Sequence, residues 1–167
     1  MPRVRLRPFR VIDAPALADE ANDFAVARTL RDYFPHPYGI DDALRFIERA
    51  QEGGAPATQF AIEADGEVAG VMGAFLGEDV MRHNVEIGYW LGRRWWGRGI
   101  ATAAVRLICD YAFDELGAKR VFAEVFGNNP ASIRVLEKAG FGLEYRLPAV
   151  IVKHDEVLDL VAMGRRK

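Results

Sequence analysis

The stretch that decides the reading of this chain runs from Glu86 to Thr102: Glu-Ile-Gly-Tyr-Trp-Leu-Gly-Arg-Arg-Trp-Trp-Gly-Arg-Gly-Ile-Ala-Thr. Its first half alternates apolar and polar residues and predicts a strand over Val85 to Leu91; its second half predicts an amphipathic helix that starts near Gly99. Between them, Gly97 and Gly99 can take backbone conformations closed to larger residues and let a ligand approach the main chain. The first amides of the helix point at that ligand, so the turn suits an anion, a phosphate above all.

Two familiar phosphate loops do not fit. Gly92 to Gly97 supplies the first half of a Walker loop, but Arg98 and Gly99 stand where its lysine and its magnesium-binding hydroxyl belong. Gly97-x-Gly99 opens a dinucleotide fingerprint, yet Thr102 fills the third position, and Lys119 lies where the ribose-binding acid would fall, ~20 residues on. The remaining pattern, Arg94-x-x-Gly97-x-Gly99-x-Ala101, resembles the signature with which GNAT N-acetyltransferases hold the pyrophosphate of coenzyme A.

Further along, apolar residues at Ala101, Ala104, Val105, Ile108 and Ala112 continue the helix, Gly117 stops it, and a strand follows over Arg120 to Phe126. The next segments, Asn129-Pro-Ala-Ser132 and Val135-Leu-Glu-Lys-Ala-Gly-Phe141, are similar to the RimJ/RimL-type branch of that superfamily, and so is Arg5-Leu-Arg-Pro-Phe-Arg-Val-Ile-Asp-Ala14. That branch acetylates protein N-termini and various small amines, and the resemblance covers nearly the whole chain.

The remaining elements are consistent with this. Asp13 is expected to cap a helix running to about Arg31, and Asp41 a second through Ala50, separated by Asp-Tyr-Phe-Pro-His-Pro-Tyr-Gly, where two prolines forbid regular helix. Strands are expected over Thr58 to Ala64, Val68 to Leu76 and Val85 to Leu91, with Asp65-Gly66 as a hairpin turn. A last hairpin pairs Val150 to Lys153 with Glu156 to Ala162 around His154-Asp155. The strand-helix-strand run from Val85 to Phe126 predicts a parallel crossover within a mostly antiparallel mixed sheet. The expected fold class is therefore α+β: one GNAT-like domain over residues 1–167 with flanking helices.

Composition excludes several classes. At 167 residues, half of them hydrophobic, the chain can bury a full core but hardly two. Net charge is -2, and the basic residues are scattered apart from Arg93, Arg94 and Arg98, which is no nucleic-acid footprint. No apolar run approaches the roughly 18 residues of a membrane span, and Met-Pro-Arg-Val-Arg lacks the apolar core of a signal peptide, so a cytoplasmic protein with no membrane partner is expected. Cys109 falls on the buried stripe of its helix and reads as inert. His36, His83 and His154 show no metal-ligand spacing, and Ser132, flanked by Ala131 and Ile133, is no hydrolase nucleophile.

The resemblance implies acetyl-CoA as acyl donor without a metal, a small-molecule amine or protein N-terminus as acceptor, and is compatible with a homodimer. It places the pantetheine arm along Tyr89, Trp90 and Leu91, with Asn129 on its amides, and the pyrophosphate at Arg94, Trp96, Gly97, Arg98, Gly99, Ile100 and Ala101. It makes Tyr33, Phe34, His36 and Tyr38 one wall of the acceptor cleft; these rings read equally as a plug that seals the core. Acetyl transfer needs a neutral amine, and Glu86 is placed to take its proton, with Glu124 or bulk water as the alternatives. Many GNAT enzymes protonate the leaving thiolate with a tyrosine seven residues after the asparagine, but here that position is Leu136. The role passes to Ser132, the only serine of the chain, which otherwise reads as a helix-start hydroxyl. The reading from another class is a catalytically silent module that binds acyl-coenzyme A.

Overall fold

The computed structural model of the chain describes residues 1–54 and 56–167. Strand β1 (Val4–Arg7) leads to helices α1 (Ala14–Ala21), α2 (Phe24–Ala27) and α3 (Ile40–Glu52). Strands β2 (Gln59–Ala64), β3 (Glu67–Leu76) and β4 (Asn84–Leu91) follow, then α4 (Ile100–Asp114), β5 (Arg120–Phe126), α5 (Pro130–Lys138), β6 (Gly142–Lys153) and β7 (Glu156–Arg166). The seven strands order as β1-β2-β3-β4-β5-β7-β6. β4 and β5 pair in parallel, as the crossover requires, while β1/β2, β2/β3, β5/β7 and β6/β7 are antiparallel. The α+β class and the mixed, mostly antiparallel sheet are those expected from the sequence.

Three boundaries differ, each for a local reason. The expected helix from Asp13 to Arg31 is broken after Ala21, and Asp23 starts a second short helix by accepting from the Ala25 amide at 2.8 Å. Asp13 caps nothing at α1; its carboxylate accepts from the Arg10 amide at 2.8 Å and pairs with Arg7. At α3 the capping carboxylate is Asp42, which accepts from the Gly39 amide at 2.9 Å, and not Asp41. The last hairpin is far longer than the tail reading, because β6 begins at Gly142. A register shift between Leu147 and Ile151, with Ala149 at φ +55, interrupts the alternation that a strand reading follows.

The residues fall into two compact units, 1–73 with 89–104, and 74–88 with 105–167. In the first, Phe9, Leu17, Ile47, Ala61 and Val71 form the core, with the Phe9 and Phe46 rings edge to face at 5.3 Å. In the second, Val105, Ile108, Val121, Leu136 and Met163 are fully buried. Cys109 lies among them, and burial pushes its thiol up to about 11, which keeps it protonated and unreactive at neutral pH.

Within the first unit, β1 is held to β2 by charge as well as by its ladder. Arg7 grips Asp13 with both terminal nitrogens, at 2.7 and 2.9 Å, and Glu63 with Nε at 2.5 Å; Arg5 reaches the other oxygen of Glu63 at 2.5 Å. Both carboxylates are buried. The guanidinium groups of Arg5 and Arg7 hold Glu63 below its ordinary range. At Asp13 burial pushes upward, but the Arg7 and Arg10 hydrogen bonds prevail and its carboxyl is also lowered. A lowered folded-state pKa stabilises above the unfolded value and is lost as pH falls through the folded one. Urea midpoints should therefore drop on acidification below about pH 4. Glu63→Gln should cost about 2 to 4 kcal/mol at pH 7 and flatten that acid dependence. An unchanged midpoint at pH 7 would remove this cluster from the interactions that hold β1.

Candidate functional site

The glycine turn lies wholly in the first unit. β4 ends at the buried Leu91, and the Gly92 amide donates to the Ala69 carbonyl at 2.9 Å. Arg93–Trp95 then make one tight 3₁₀ turn, and the Trp96 indole N–H reaches back to the Leu91 carbonyl at 2.8 Å. Gly97 (φ +71) and Gly99 (φ +77) follow in the left-handed region, and the 15-residue α4 starts at the buried Ile100. A Cβ built on Gly97 meets no atom within 4 Å, so the backbone there is open to an approaching ligand. An open left-handed turn at the head of a long helix is the geometry that receives a phosphate.

A buried carboxylate fixes this turn from below. Glu20, on α1, accepts from the Trp95 indole N–H at 3.0 Å and from Arg94 Nε. Arg94 Nη2 also bonds Glu67 at 2.8 Å, and its guanidinium lies over the Trp95 ring at 4.4 Å. Hydrogen bonds to Glu67 and Glu20 raise Arg94 further above its ordinary pKa. Gly92 makes the arrangement possible, because a Cβ there would stand 1.8 Å from Glu20 Oε2. The side chain of Arg94 is thus committed to protein carboxylates, leaving its place in the turn to main-chain contacts.

The other arginines of the turn are also balanced. Arg93 lies 4.0 Å from Asp23, and Arg98 lies 3.9 Å from Asp65 and over the Trp95 ring at 4.9 Å. Both pairs are long and exposed, worth little in water, so Arg98 can exchange its carboxylate for a phosphate at small cost. Ala101, next to Ile100, is half-buried in the first turn of α4.

The aromatic loop divides. Tyr38 is buried in the first unit's core; burial, then the nearby Asp42 charge, pushes its phenol up to about 12. Phe34 packs on Tyr38 at 5.1 Å and edge-on to Trp90 at 5.6 Å. These two serve as the plug. Tyr33 and His36 are exposed, with His36 set against Phe24 at 5.7 Å. Half-buried Tyr89 precedes Trp90 on β4, and a Cβ on Gly70 would stand 2.0 Å from the Trp90 carbonyl, so β3 runs very close to this strand end.

The second unit holds the remaining candidates. Val85 and Ile87 are buried, which turns the half-buried Glu86 to the opposite face of β4. It stands in register with Phe122, and β5 alternates so that Arg120, Phe122 and Glu124 share that face. Glu124 pairs with Ala162 on β7, which pairs with Tyr145 on β6. Over this small residue the Tyr145 hydroxyl donates to Glu124 at 3.0 Å. Burial and that carboxylate raise the Tyr145 phenol, which stays a proton donor at neutral pH. Sequence reading missed this pair because it began the strand at Val150, beyond Tyr145, whereas β6 starts at Gly142.

At the head of α5, Asn129 Oδ1 caps the helix by accepting from the Ser132 amide at 3.2 Å. That oxygen keeps a second lone pair, so the side chain still offers an acceptor beside its Nδ2 donor. Ser132 is half-buried in the first turn. Leu136 is fully buried, so the position that carries a tyrosine in many GNAT enzymes is filled by a core leucine here. Among the described residues no group of three or more His, Cys, Asp or Glu is arranged to hold a metal, and no helix is long and apolar enough to cross a membrane.

The fold and the turn define an α+β protein with an open glycine turn at the head of α4. The acetyltransferase (GNAT) domain model matches residues 3–142, and the chain belongs to that family of N-acetyltransferase enzymes. It is 32% identical over 144 residues to the uncharacterized N-acetyltransferase p20 of Bacillus licheniformis, covering 85% of this chain and 80% of that one. Its likeness to the probable N-acetyltransferase YjcK of Bacillus subtilis, 55% over 58 residues, spans about a third of either protein (35% and 32%). Among solved structures, the fold matches the RimL ribosomal L7/L12 alpha-N-protein acetyltransferase in complex with coenzyme A, with a TM-score of 0.85 at 19% identity over 98% of this chain and 93% of that one.

The dependence of the turn on Glu20 is directly testable. Gly92→Ala should lower stability by about 2 to 4 kcal/mol, since either backbone or carboxylate must move. Glu20→Gln, which keeps shape but weakens two charge-assisted bonds, should cost about 1 to 3 kcal/mol. Denaturant unfolding measures both; a neutral Gly92→Ala would show that the turn is not anchored here.

Proposed function

We propose that the protein transfers an acetyl group from acetyl-CoA to a primary amine, a small-molecule amine or a protein N-terminus, by direct attack of the amine on the thioester. The observation that carries the reading is the open turn at Gly97 and Gly99 at the head of α4, entered by the strand that bears Glu86. The family and the coenzyme A in the RimL structure support it.

In this reading the turn residues Trp96, Gly97, Gly99, Ile100 and Ala101 receive the pyrophosphate through main-chain amides, and Arg98 supplies an exchangeable charge. Arg94 positions the turn. Tyr89 to Leu91 present strand backbone to the pantetheine arm, and Asn129 Nδ2 donates to one of its carbonyls. Acetyl-CoA, when bound, supplies the acetyl thioester. Glu86 takes the proton that the amine must lose as the carbon–nitrogen bond forms and the carbon–sulfur bond breaks. Ser132 Oγ donates a hydrogen bond to the sulfur as it gains negative charge, in place of the tyrosine whose position Leu136 fills. Glu124, with one oxygen engaged by Tyr145, is the less suited base. Tyr33 and His36, the exposed members of the aromatic loop, are proposed to meet the acceptor, while Phe34 and Tyr38 support that wall from the core.

Labelled acetyl-CoA incubated with peptides, polyamines and amino sugars tests the activity: acyl transfer above hydrolysis is expected, whereas binding with no transfer would favour the silent module. Gly97→Asp should abolish coenzyme A binding in a folded protein. With a confirmed acceptor, Glu86→Gln should lower kcat ~10²- to 10⁴-fold at neutral pH, with partial recovery as rising pH deprotonates the amine. Ser132→Ala should lower kcat roughly 10- to 10³-fold with little change in either KM. Loss of affinity alone in Ser132→Ala would return that serine to a helix-start role.

A further inference from the structure

The β2–β3 hairpin meets two arginines of the glycine turn with carboxylates, all of them within the first unit. Glu67 bonds Arg94 at 2.8 Å, and Arg94 also takes Glu20, so that contact belongs to the anchor of the turn. Asp65 stands differently, with its nearer carboxylate oxygen 3.9 Å from Arg98 Nη2. That separation is too long for a hydrogen bond, yet short enough for opposite charges to attract. Arg98 is the residue between the two left-handed glycines at the head of α4, where the anion is proposed to sit.

Asp65 is pinned where it stands. Its other oxygen accepts from the Arg3 amide at 2.8 Å, and its own amide donates to the Arg3 carbonyl at 3.0 Å. These bonds carry the β1/β2 ladder one residue beyond Val4/Ala64 and tie the carboxylate to the sheet. The backbone at Asp65 is left-handed (φ +52), as its tight turn with Gly66 (φ +91) requires. Arg98, by contrast, is exposed and rests over the Trp95 ring at 4.9 Å. A long side chain without a close bond can turn toward a better anion, whereas a carboxylate bonded to the sheet cannot follow it.

We propose that Asp65 is a built-in competitor of the ligand: it neutralises Arg98, and an incoming anion has to take the arginine from it. This rests on the acetyltransferase reading, in which the anion is the pyrophosphate of coenzyme A. Once Arg98 has turned to a phosphate, Asp65 is left as an unpaired negative charge near a second one. It therefore opposes binding twice, by the attraction that is lost and by the repulsion that is gained. Both forces act through solvent, so each is modest and both fade with salt. Asp65 holds the affinity for coenzyme A below what the turn could reach, and it sets how strongly that affinity depends on ionic strength.

Calorimetry with coenzyme A on the full chain tests this with Asp65→Asn, Arg98→Gln and the double variant. Asn keeps an oxygen for the Arg3 amide and tolerates a positive φ, so the hairpin is retained; Asp65→Gly, equally at ease at that φ, serves if it is not. Asp65→Asn should bind coenzyme A about 2- to 5-fold more tightly than the wild type at about 0.02 M salt. The gain should vanish near 1 M salt, where the Debye length is about 3 Å. Most of it should also disappear in the Arg98→Gln background, because the contact that Asp65→Asn removes is already gone there. Equal or weaker binding by a folded Asp65→Asn protein would overturn the proposal. So would a gain just as large without Arg98, which would make Asp65 one surface charge among others. Wild-type and variant proteins that all fail to bind coenzyme A would instead overturn the acetyltransferase reading, and the competitor with it.

Discussion

The carboxylate of Glu20 is the interaction on which the turn depends. It is 8% exposed, and a carboxylate so far from water survives only with strong donors around it. Arg94 Nε and the Trp95 indole supply them, and the missing side chain of Gly92 supplies the space. Charge-assisted bonds of this kind are strong and directional, so they set the path of the chain between Leu91 and Trp96 as well as contributing stability. The route from the end of β4 to Trp96 is therefore held by the bonds to Glu20 and by the Trp96 indole on the Leu91 carbonyl.

Those bonds change what the arginines of the turn mean. Three of them within six residues suggest a positive cradle, yet each faces a carboxylate of the same unit: Asp23, Glu20 with Glu67, and Asp65. In the proposed reading, recognition of the anion falls mainly on main-chain N–H groups and the helix dipole, whose effect is local to the first turn. Of the two arginines expected at the pyrophosphate, Arg94 is held by Glu20 and Glu67 while Arg98 has only a distant partner to give up, and it also lies over the Trp95 face. These pairings leave the turn without a net positive patch, in keeping with a chain whose overall charge is -2.

What was legible in the sequence is what local geometry dictates. Asp65-Gly66 adopts the left-handed angles of a tight hairpin, φ +52 and +91, and Arg120–Phe126 is the strand that its alternation describes. Gly97 and Gly99 take the positive φ that their spacing suggested. What failed to show depends on partners distant in sequence. Nothing adjacent to Asp13 reveals that Arg7 and Arg10 will take its carboxylate, and nothing near Glu20 marks it as the anchor for residues 74 and 75 positions away. Only the end of β6, Val150 to Lys153, was legible; its first part escaped detection because Pro148, Ala149 and a register shift interrupt the period, and both faces are largely exposed, so no apolar alternation declares it. With it went Tyr145 and its bond to Glu124.

The second unit shows how one small residue organises a polar face. On the row Glu124–Ala162–Tyr145 the middle side chain is a methyl group, and a tyrosine can lean across it to a carboxylate two strands away. Nearby, Gly164 leaves the space that Glu144 occupies, since a Cβ there would stand 2.1 Å from its Oε1, and Arg120 binds that carboxylate through Nε at 2.9 Å while also reaching Asn84 at 3.0 Å. Arg120, Glu124, Glu144 and Tyr145 are thus tied across β5, β7 and β6 by residues too small to obstruct them. On β4, Glu86 lies in register with Phe122, the apolar residue between Arg120 and Glu124 on the same face. Arg120 also lies over the Phe122 ring at 4.0 Å, so the cation that binds Glu144 covers the residue in register with Glu86 as well, and one guanidinium ties the polar face of β5 to its neighbours on both sides.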